Sequence, residues 1–429
     1  MASFNDKNQT PHEWFASIIE RGTSPDMRVQ LPESNIRSSN PSQPAALVVA
    51  PMVDQSDLPF RKLARQYGSN LCYTPMIHSR LFLEHKRYFE SFNLFVDEAK
   101  EDGPVFAQFC GNDPTIMANA MKKFNTKFVD AVDINCGCPQ GIARKGRYGA
   151  FLLEEGDLLV SIVENLVKEL DCRVTIKVRI LPTGIEDSLA LYRRLVDAGV
   201  SLMTVHGRTR HQKGQLTGAV NWDHIKMVVD AIGDRIPVIA NGGISNLDDI
   251  RRCLEITGAA GVMSSEGVLE YPPIFTGTNT VATSGKRTGP GRLAIAREYI
   301  SLEEKYPNKQ GGQASGIKCA KSHLQHFLYE DLQSGGEVAD EARRKLHCSK
   351  STADMREVTD ILERLQAERG HKVEEEKLGW YMRHRTEGED EKETKLDIPQ
   401  VELEDDFSGC FGGMIGETGE CGGDGDGDY

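Results

Sequence analysis

Residues 131–139 read AVDINCGCP, a short β-forming run that breaks into a Gly-Cys-Pro turn. Apolar residues at nearly every position suit a strand covered on both faces, as in a parallel sheet. The same pattern recurs on both sides. Upstream lie ALVVAP (46–51), LCYTP (71–75) and VFAQFC (105–110). Downstream lie VTIKV (174–178), LMTVH (202–206), PVIAN (237–241) and GVMSS (261–265). Helical patterns separate them, among them SDLPFRKLARQYG, DPTIMANAMKKF, GDLLVSIVENLVKEL, IEDSLALYRRLVDAG and NLDDIRRCLEITGA. In the fourth of these, Ile185, Leu189, Tyr192, Leu195 and Val196 share one face, and Gly199 is the expected stop. Eight strands alternating with helices over residues 45–285 have the size and rhythm of an α/β fold of the TIM (β/α)8 barrel type. A doubly wound sheet is the alternative, but no G-x-G-x-x-G follows the first strand.

The flanks differ from this core. Residues 1–44 are rich in Ser, Asn, Pro and Gln and read as a flexible segment in which PHEWFASIIERG can form a short helix. Over residues 286–385 the strand signal stops. LAIAREYISLEEKY, IKCAKSHLQHFLYEDL and STADMREVTDILERLQAERG predict an all-helical domain, joined through GKRTGPGR. In the last of them Met355, Val358, Ile361, Leu362 and Leu365 form one apolar stripe. Residues 386–429 are acidic and Gly-rich. Their Asp-x-Asp-x-Asp run lacks the glycine and closing Glu of a calcium loop, so a disordered tail is expected.

The formal charge of −13 sits almost wholly in that tail, which holds 15 acidic and 2 basic residues. Residues 1–385 are formally neutral and residues 286–385 slightly basic, so the charge does not exclude an RNA partner. No apolar run approaches the ~20 residues of a membrane span. The N-terminus lacks a signal-peptide pattern. These features predict a soluble monomer of the cytoplasm, with the nucleus as a further compartment. The ten cysteines are scattered and expected to be reduced. Cys136 and Cys138 alone are close, with no second pair at zinc spacing, so no metal is expected.

Functional groups of a TIM barrel project from the C-terminal ends of its strands. Those ends carry Pro51-Met52, Gln108, Asn135-Cys136-Gly137-Cys138, Lys177 with Arg179, His206-Gly207-Arg208, Asn241-Gly242-Gly243 and Ser264-Ser265-Glu266-Gly267. Seven such positions around one rim imply a polar pocket for a large ligand. Cys138 on its turn is a candidate general acid, while Cys136 suits a buried small hydrophobe. Lys177, between apolar neighbours, needs an anionic partner or a shifted pKa: a structural ion pair, or a cation facing an electron-rich ligand. His206 is either a core histidine or a contact to an oxygen of cofactor or substrate. Gln108 and Asn135 can bind a heterocycle edge or cap neighbouring loops. The Gly242-Gly243 and Gly267 loops match the phosphate site of TIM barrels, with plain turns as the alternative.

Together VVAPMVDQSDLPFR, FAQFCGNDP, DINCGCPQ, KVRI, HGRTR, IANGGI, GVMSSEG and HLQHFLYEDL resemble the tRNA-dihydrouridine synthase family, over about residues 45–370. The resemblance implies an FMN-containing TIM barrel with a helical tRNA-binding domain. It implies Pro51, Met52 and Val53 beneath the isoalloxazine, Gln108 and Lys177 on its polar edge, and His206 as a further contact. Asn241, Gly242, Gly243, Ser265, Glu266 and Gly267 would surround the phosphate. Cys138 would be the proton donor, with Asn135 and Arg179 near the uracil. Many members carry Gly-Arg where this chain has Ser265-Glu266; a carboxylate there requires compensation from backbone N–H groups or Arg208. The SSEG form resembles the eukaryotic members that modify D-loop positions 16 and 17.

The expected reaction is reduction of uridine in tRNA, with NADPH or NADH as reductant. Lys318, Lys321, Arg343, Arg344 and Lys345 are candidate tRNA contacts or an ordinary solvated face. The alternatives are an FMN reductase of free pyrimidines or other small molecules, and a non-catalytic tRNA-binding protein.

Overall fold

The strand candidates alternate in side-chain direction, so every second residue of each faces one side of the sheet. In the computed structural model, which describes residues 9–23, 44–93, 102–124, 129–276, 290–307 and 313–368, that side is the inside of a closed barrel. The strands are β1 (Ala46–Val49), β2 (Leu71–Tyr73), β3 (Val105–Cys110), β4 (Ala131–Cys136), β5 (Arg173–Ile180), β6 (Leu202–Thr209), β7 (Val238–Asn241) and β8 (Gly261–Ser264). Each pairs in parallel with the next. The ring closes where Ala46–Val49 register against Gly261–Ser264. Ile77–His78 forms a two-residue strand on the far end of β3. The TIM barrel is therefore the observed fold.

Helices take the expected places. Ile185–Asp197 buries Leu189, Tyr192, Leu195 and Val196, and Gly199 beyond its end adopts φ +106°, the left-handed conformation that stops a helix cheaply.

The inward face changes character along the barrel axis. At the N-terminal end it carries Ala46, Val48, Leu71, Tyr73, Phe106, Ala131, Leu202, Ile239 and Met263, all buried in one apolar cluster. Two residues further along the same parity it carries Gln108, Asp133, Thr175, Thr204 and Asn241. The apolar end is plugged by helix Pro11–Gly22. Thr10 and Glu13 form a reciprocal capping box at its start. Trp14, Phe15, Ile18 and Ile19 insert into the cluster, with Trp14 stacked on Phe106 at 5.7 Å between ring centres. Arg21 pairs with Asp130 at 2.5 Å, and the Arg173 guanidinium lies 5.7 Å from the Trp14 ring centre. The short helix read from the sequence thus forms, and residues 9–23 belong to the barrel core rather than to a flexible segment. Residues 24–43 lie outside the described part.

Helices Arg292–Lys305, Gln313–Phe327, Tyr329–Gln333, Glu337–Cys348 and Thr352–Glu368 follow the barrel. The stripe Met355, Val358, Ile361, Leu362 and Leu365 is buried. The first of these helices packs against helix Leu58–Gln66, and the second against Glu266–Glu270. A buried Arg292–Glu270 pair at 2.9 Å ties the groups together. The expected boundaries at 285/286 and 385/386, and the acidic tail, lie outside the described residues. Among the described residues no helix is long and apolar enough to cross a membrane.

Candidate active site

The polar end of the barrel is organised by one chain of hydrogen bonds that starts below the rim. Asp133, fully buried, accepts from Thr175 Oγ1 at 2.7 Å and from Gln108 Nε2 at 2.8 Å. A carboxylate only accepts, so it fixes the Gln108 amide with its oxygen facing away. That oxygen accepts from Asn135 Nδ2 at 2.7 Å. Asn135 Oδ1 is thereby turned toward the β4 turn, where it accepts from the N–H groups of Gly137 (3.2 Å) and Cys138 (3.0 Å). The turn is held from its other side too. Ala150 N–H donates to the Cys138 carbonyl at 3.0 Å, and Arg179 Nε donates to the Gly137 carbonyl at 2.8 Å. Four bonds fix the backbone that carries Cys138, whose side chain keeps part of its surface open. Cys136 is fully buried, and burial pushes its thiol far up, which matches the structural part expected for it.

Cationic groups gather beside this turn. Lys177 pairs in register with Asn135, and its Nζ would lie 3.7 Å from a Cβ placed on Gly137. Burial pushes its ammonium down to about 8, with Arg179 adding repulsion and Asp133 and Cys138 opposing. Burial likewise pushes Asp133 up to about 6, against its hydrogen bonds and the Lys177 charge. The Arg179 guanidinium is lowered to about 10 by burial and by Arg208, so it stays charged at neutral pH. Arg179 spends its donors on the carbonyls of Gly137, Thr209 and Gln212. It therefore braces two loops.

His206 stands on the adjacent strand β6, in register with Arg179 and Asn241. Burial first, then the charges of Arg179, Lys177 and Arg208, hold it well below its usual range, so the imidazole is neutral. Arg208 NH1 lies 3.2 Å from His206 Nε2. A guanidinium can only donate, which places the His206 proton on Nδ1. Gly242, at φ +104°, presses against this ring: a Cβ there would lie 2.8 Å from His206 Cδ2. Gly243 is also left-handed, at φ +76°. Trp222 Nε1 donates to the Gly242 carbonyl at 3.1 Å, and Asn241 Nδ2 to the Met263 carbonyl at 2.9 Å. A Cβ on Gly267 would fall 2.4 Å from the Ile244 carbonyl oxygen, so that glycine lets the β7 and β8 loops touch. Ser265 is half-buried, and Glu266 is exposed with its charge felt at Arg179. Pro51, Met52 and Val53 are half-buried at the end of β1.

The structure thus brings Gln108, Asn135, Cys138, Lys177, Arg179 and His206 onto one connected rim. Gln108 has no exposed surface, and both ends of its amide are bonded. Asp133 and Thr175, which anchor the chain, are new to the site. Their sequence signal is period two: they precede Asn135 and Lys177 by two residues on the same face. The candidate RNA contacts are less open than the sequence suggests. Lys321 donates to the His347 carbonyl, Arg343 pairs with Asp340, and Lys345 pairs with Asp354 and Glu357. Arg344 is exposed, and the charge of Lys318 acts on Asp54.

A family model described as dihydrouridine synthase matches residues 48–367. The chain belongs to the dihydrouridine synthase family. A Rattus norvegicus relative named tRNA-dihydrouridine(16/17) synthase NAD(P)(+)-like is 40% identical over 294 residues, covering 68% of this chain and 62% of its own length. Proteins named tRNA-dihydrouridine(16/17) synthase NAD(P)(+) are 42% identical in Saccharomyces cerevisiae and 46% identical in Schizosaccharomyces pombe. These matches cover 67% and 65% of this chain, and 67% of each relative. The chain therefore spans less than two thirds of the rat relative and about two thirds of the yeast ones. The motifs FAQFCGNDP, DINCGCPQ, KVRI, HGRTR, IANGGI and GVMSSEG reach the barrel rim just described, and HLQHFLYEDL lies in helices Gln313–Phe327 and Tyr329–Gln333.

Proposed function

We propose that the chain is a tRNA-dihydrouridine synthase that reduces the C5=C6 bond of D-loop uridines 16 and 17, with FMN as its flavin and NADPH or NADH as reductant. The relatives' names support the tRNA substrate, the positions and the nicotinamide reductant. The observation that carries the chemistry is a partly open thiol on a turn fixed by four hydrogen bonds, beside a cation.

The residues present fit FMN. Pro51, Met52 and Val53 offer a half-buried apolar floor and Lys177 a cation at the polar edge, while Gln108, expected on the same edge, is fully buried with its amide bonded to Asp133 and Asn135 and would orient Asn135 from beneath. His206 adds a neutral ring nitrogen. Asn241, Gly242, Gly243, Ser265, Glu266 and Gly267 would hold the phosphate end, where Gly242 supplies a left-handed backbone with no Cβ against His206. When bound and reduced, FMN supplies the hydride that uracil C6 receives. Cys138 gives the proton that C5 takes, and the thiolate left behind regains a proton from water. Lys177 stabilises negative charge next to the Cys138 turn. Asn135 and Arg179 set the turn's backbone on the uracil side. The uridine must leave its stack to reach this depth, at a cost of a few kcal/mol that a loop position minimises. Residues 286–385 would act as the tRNA-binding domain on the barrel of residues 45–285, with Arg344 as an exposed contact.

Mapping dihydrouridine across tRNA from cells lacking the protein tests this reading. Loss at positions 16 and 17, restored by the wild-type chain, is expected. An unchanged map, or loss confined to other positions, contradicts it.

Two smaller effects follow from the rim. Lys177 is cationic below its pKa of about 8, and an electron-rich or anionic ligand binds the cationic form. FMN affinity is therefore expected to fall as the pH rises through about 8, and a flat fluorescence titration across that range would remove Lys177 from the ligand. Gly242→Val combines a clash with His206 and a strained φ. It is expected to weaken FMN by about tenfold or more, and to cost about 1–3 kcal/mol of stability. Flavin titration and denaturant melts measure the two effects separately.

A further inference from the structure

The turn that leaves β1 binds itself tightly. Met52 N–H donates to Ser56 Oγ at 3.1 Å, and the Met52 carbonyl accepts from Ser56 Oγ and from the N–H groups of Gln55 and Ser56. From the barrel side, Arg61 donates to the Ser56 carbonyl at 2.6 Å and is itself fixed by buried Asp102. The helices beyond the barrel hold the same turn from the opposite side. Asp57 is fully buried, with one carboxylate oxygen 2.7 Å from His323 Nε2 and the other accepting from Tyr299 OH at 3.1 Å. Gln55 Nε2 donates to Ser322 Oγ at 2.7 Å and lies 3.1 Å from His326 Nε2.

Asp57 immediately precedes helix Leu58–Gln66, the position at which an Asp side chain ordinarily caps the first turn. Here it makes no capping bond, and both of its oxygens are turned to the later helices. His323 is stacked on Phe60 at 4.6 Å and lies 4.7 Å from the Tyr299 ring, so it has one orientation. A buried carboxylate and its donors are seldom a gain in stability over apolar residues of similar volume, but their directionality fixes geometry.

We propose that Asp57, Tyr299 and His323 are positioning residues that make the β1 turn, and with it the Pro51–Val53 floor of the cofactor cleft, depend on docking of helices Arg292–Lys305 and Gln313–Phe327. This rests on the reading that Pro51–Val53 lie beneath FMN. Its consequence is that changes in the helical region, remote from the rim, weaken flavin binding in the absence of any tRNA.

The test uses the full chain stripped of flavin, with FMN affinity read by fluorescence quenching and thermal stability read on the same samples. The double variant Asp57→Leu with His323→Phe replaces the polar contact by an apolar one. It is expected to keep its melting temperature and lose about tenfold in FMN affinity. Tyr299→Phe removes one hydroxyl without changing shape and is expected to weaken FMN about threefold. His323→Gln keeps an amide donor for Asp57 and should lie nearest the wild type. If the double variant does not fold, Tyr299→Phe decides the matter. Wild-type FMN affinity in the folded double variant, or in Tyr299→Phe where the double variant does not fold, overturns the proposal. A wild-type chain that takes up no FMN instead overturns the cofactor reading on which it rests.

Discussion

Replacing Cys138 with Ala is expected to lower dihydrouridine formation by about 10²–10⁴-fold while FMN affinity changes little, because the proposed proton donor is lost and the turn is not. The turn is fixed through backbone groups. Asn135 Oδ1 takes the N–H groups of Gly137 and Cys138, Ala150 donates to the Cys138 carbonyl, and Arg179 to the Gly137 carbonyl. None of these bonds uses the thiol. Water replaces a positioned acid poorly, so the defect should lie in kcat rather than in KM for tRNA. Single-turnover reduction of tRNA by pre-reduced enzyme isolates the step. Turnover within about threefold of wild type would remove Cys138 from the acid role.

Replacing Trp14 with Ala is expected to cost about 3–5 kcal/mol of stability, the range for truncating a large aromatic in a close-packed core. Trp14 is fully buried, stacks on Phe106 and fills the apolar end of the barrel with Phe15, Ile18 and Ile19. Its indole N–H has no hydrogen-bond partner there, so the loss is one of packing, cavity formation and the Arg173 contact to the ring. Guanidinium denaturation, followed by a probe other than Trp14 fluorescence, measures it. A loss below about 1 kcal/mol would mean that the helix frays from the barrel without consequence.

The helix around Trp14 marks where sequence reasoning stopped short. PHEWFASIIERG is amphipathic and follows the capping residue Thr10, yet nothing local says that its apolar stripe enters a barrel whose first strand begins only at Ala46. The eight strands were legible because each is a short apolar run with turn residues after it. Glu337–Cys348 was not, since it buries only Ala339, Ala342 and Leu346 and leaves a weak apolar period. At the rim, Cys138, Lys177 and His206 stood out as polar side chains at the ends of apolar strands. Asp133 did not. Its part depends on hydrogen bonds to Gln108 and Thr175 on neighbouring strands, and strand register is not local in sequence. The same holds for Asp57, which sits at the cap position of helix Leu58–Gln66 and instead serves His323 and Tyr299, more than 200 residues away.

The proposed work of this rim is the reduction of uridine within tRNA. Purified protein supplied with FMN, NADPH and an unmodified tRNA transcript tests it most directly, with free uridine assayed in parallel. Dihydrouridine is expected at positions 16 and 17 of the transcript, with no measurable reduction of free uridine. Comparable turnover of free uridine, or a flavin-loaded protein that leaves every transcript uridine unreduced, would contradict it.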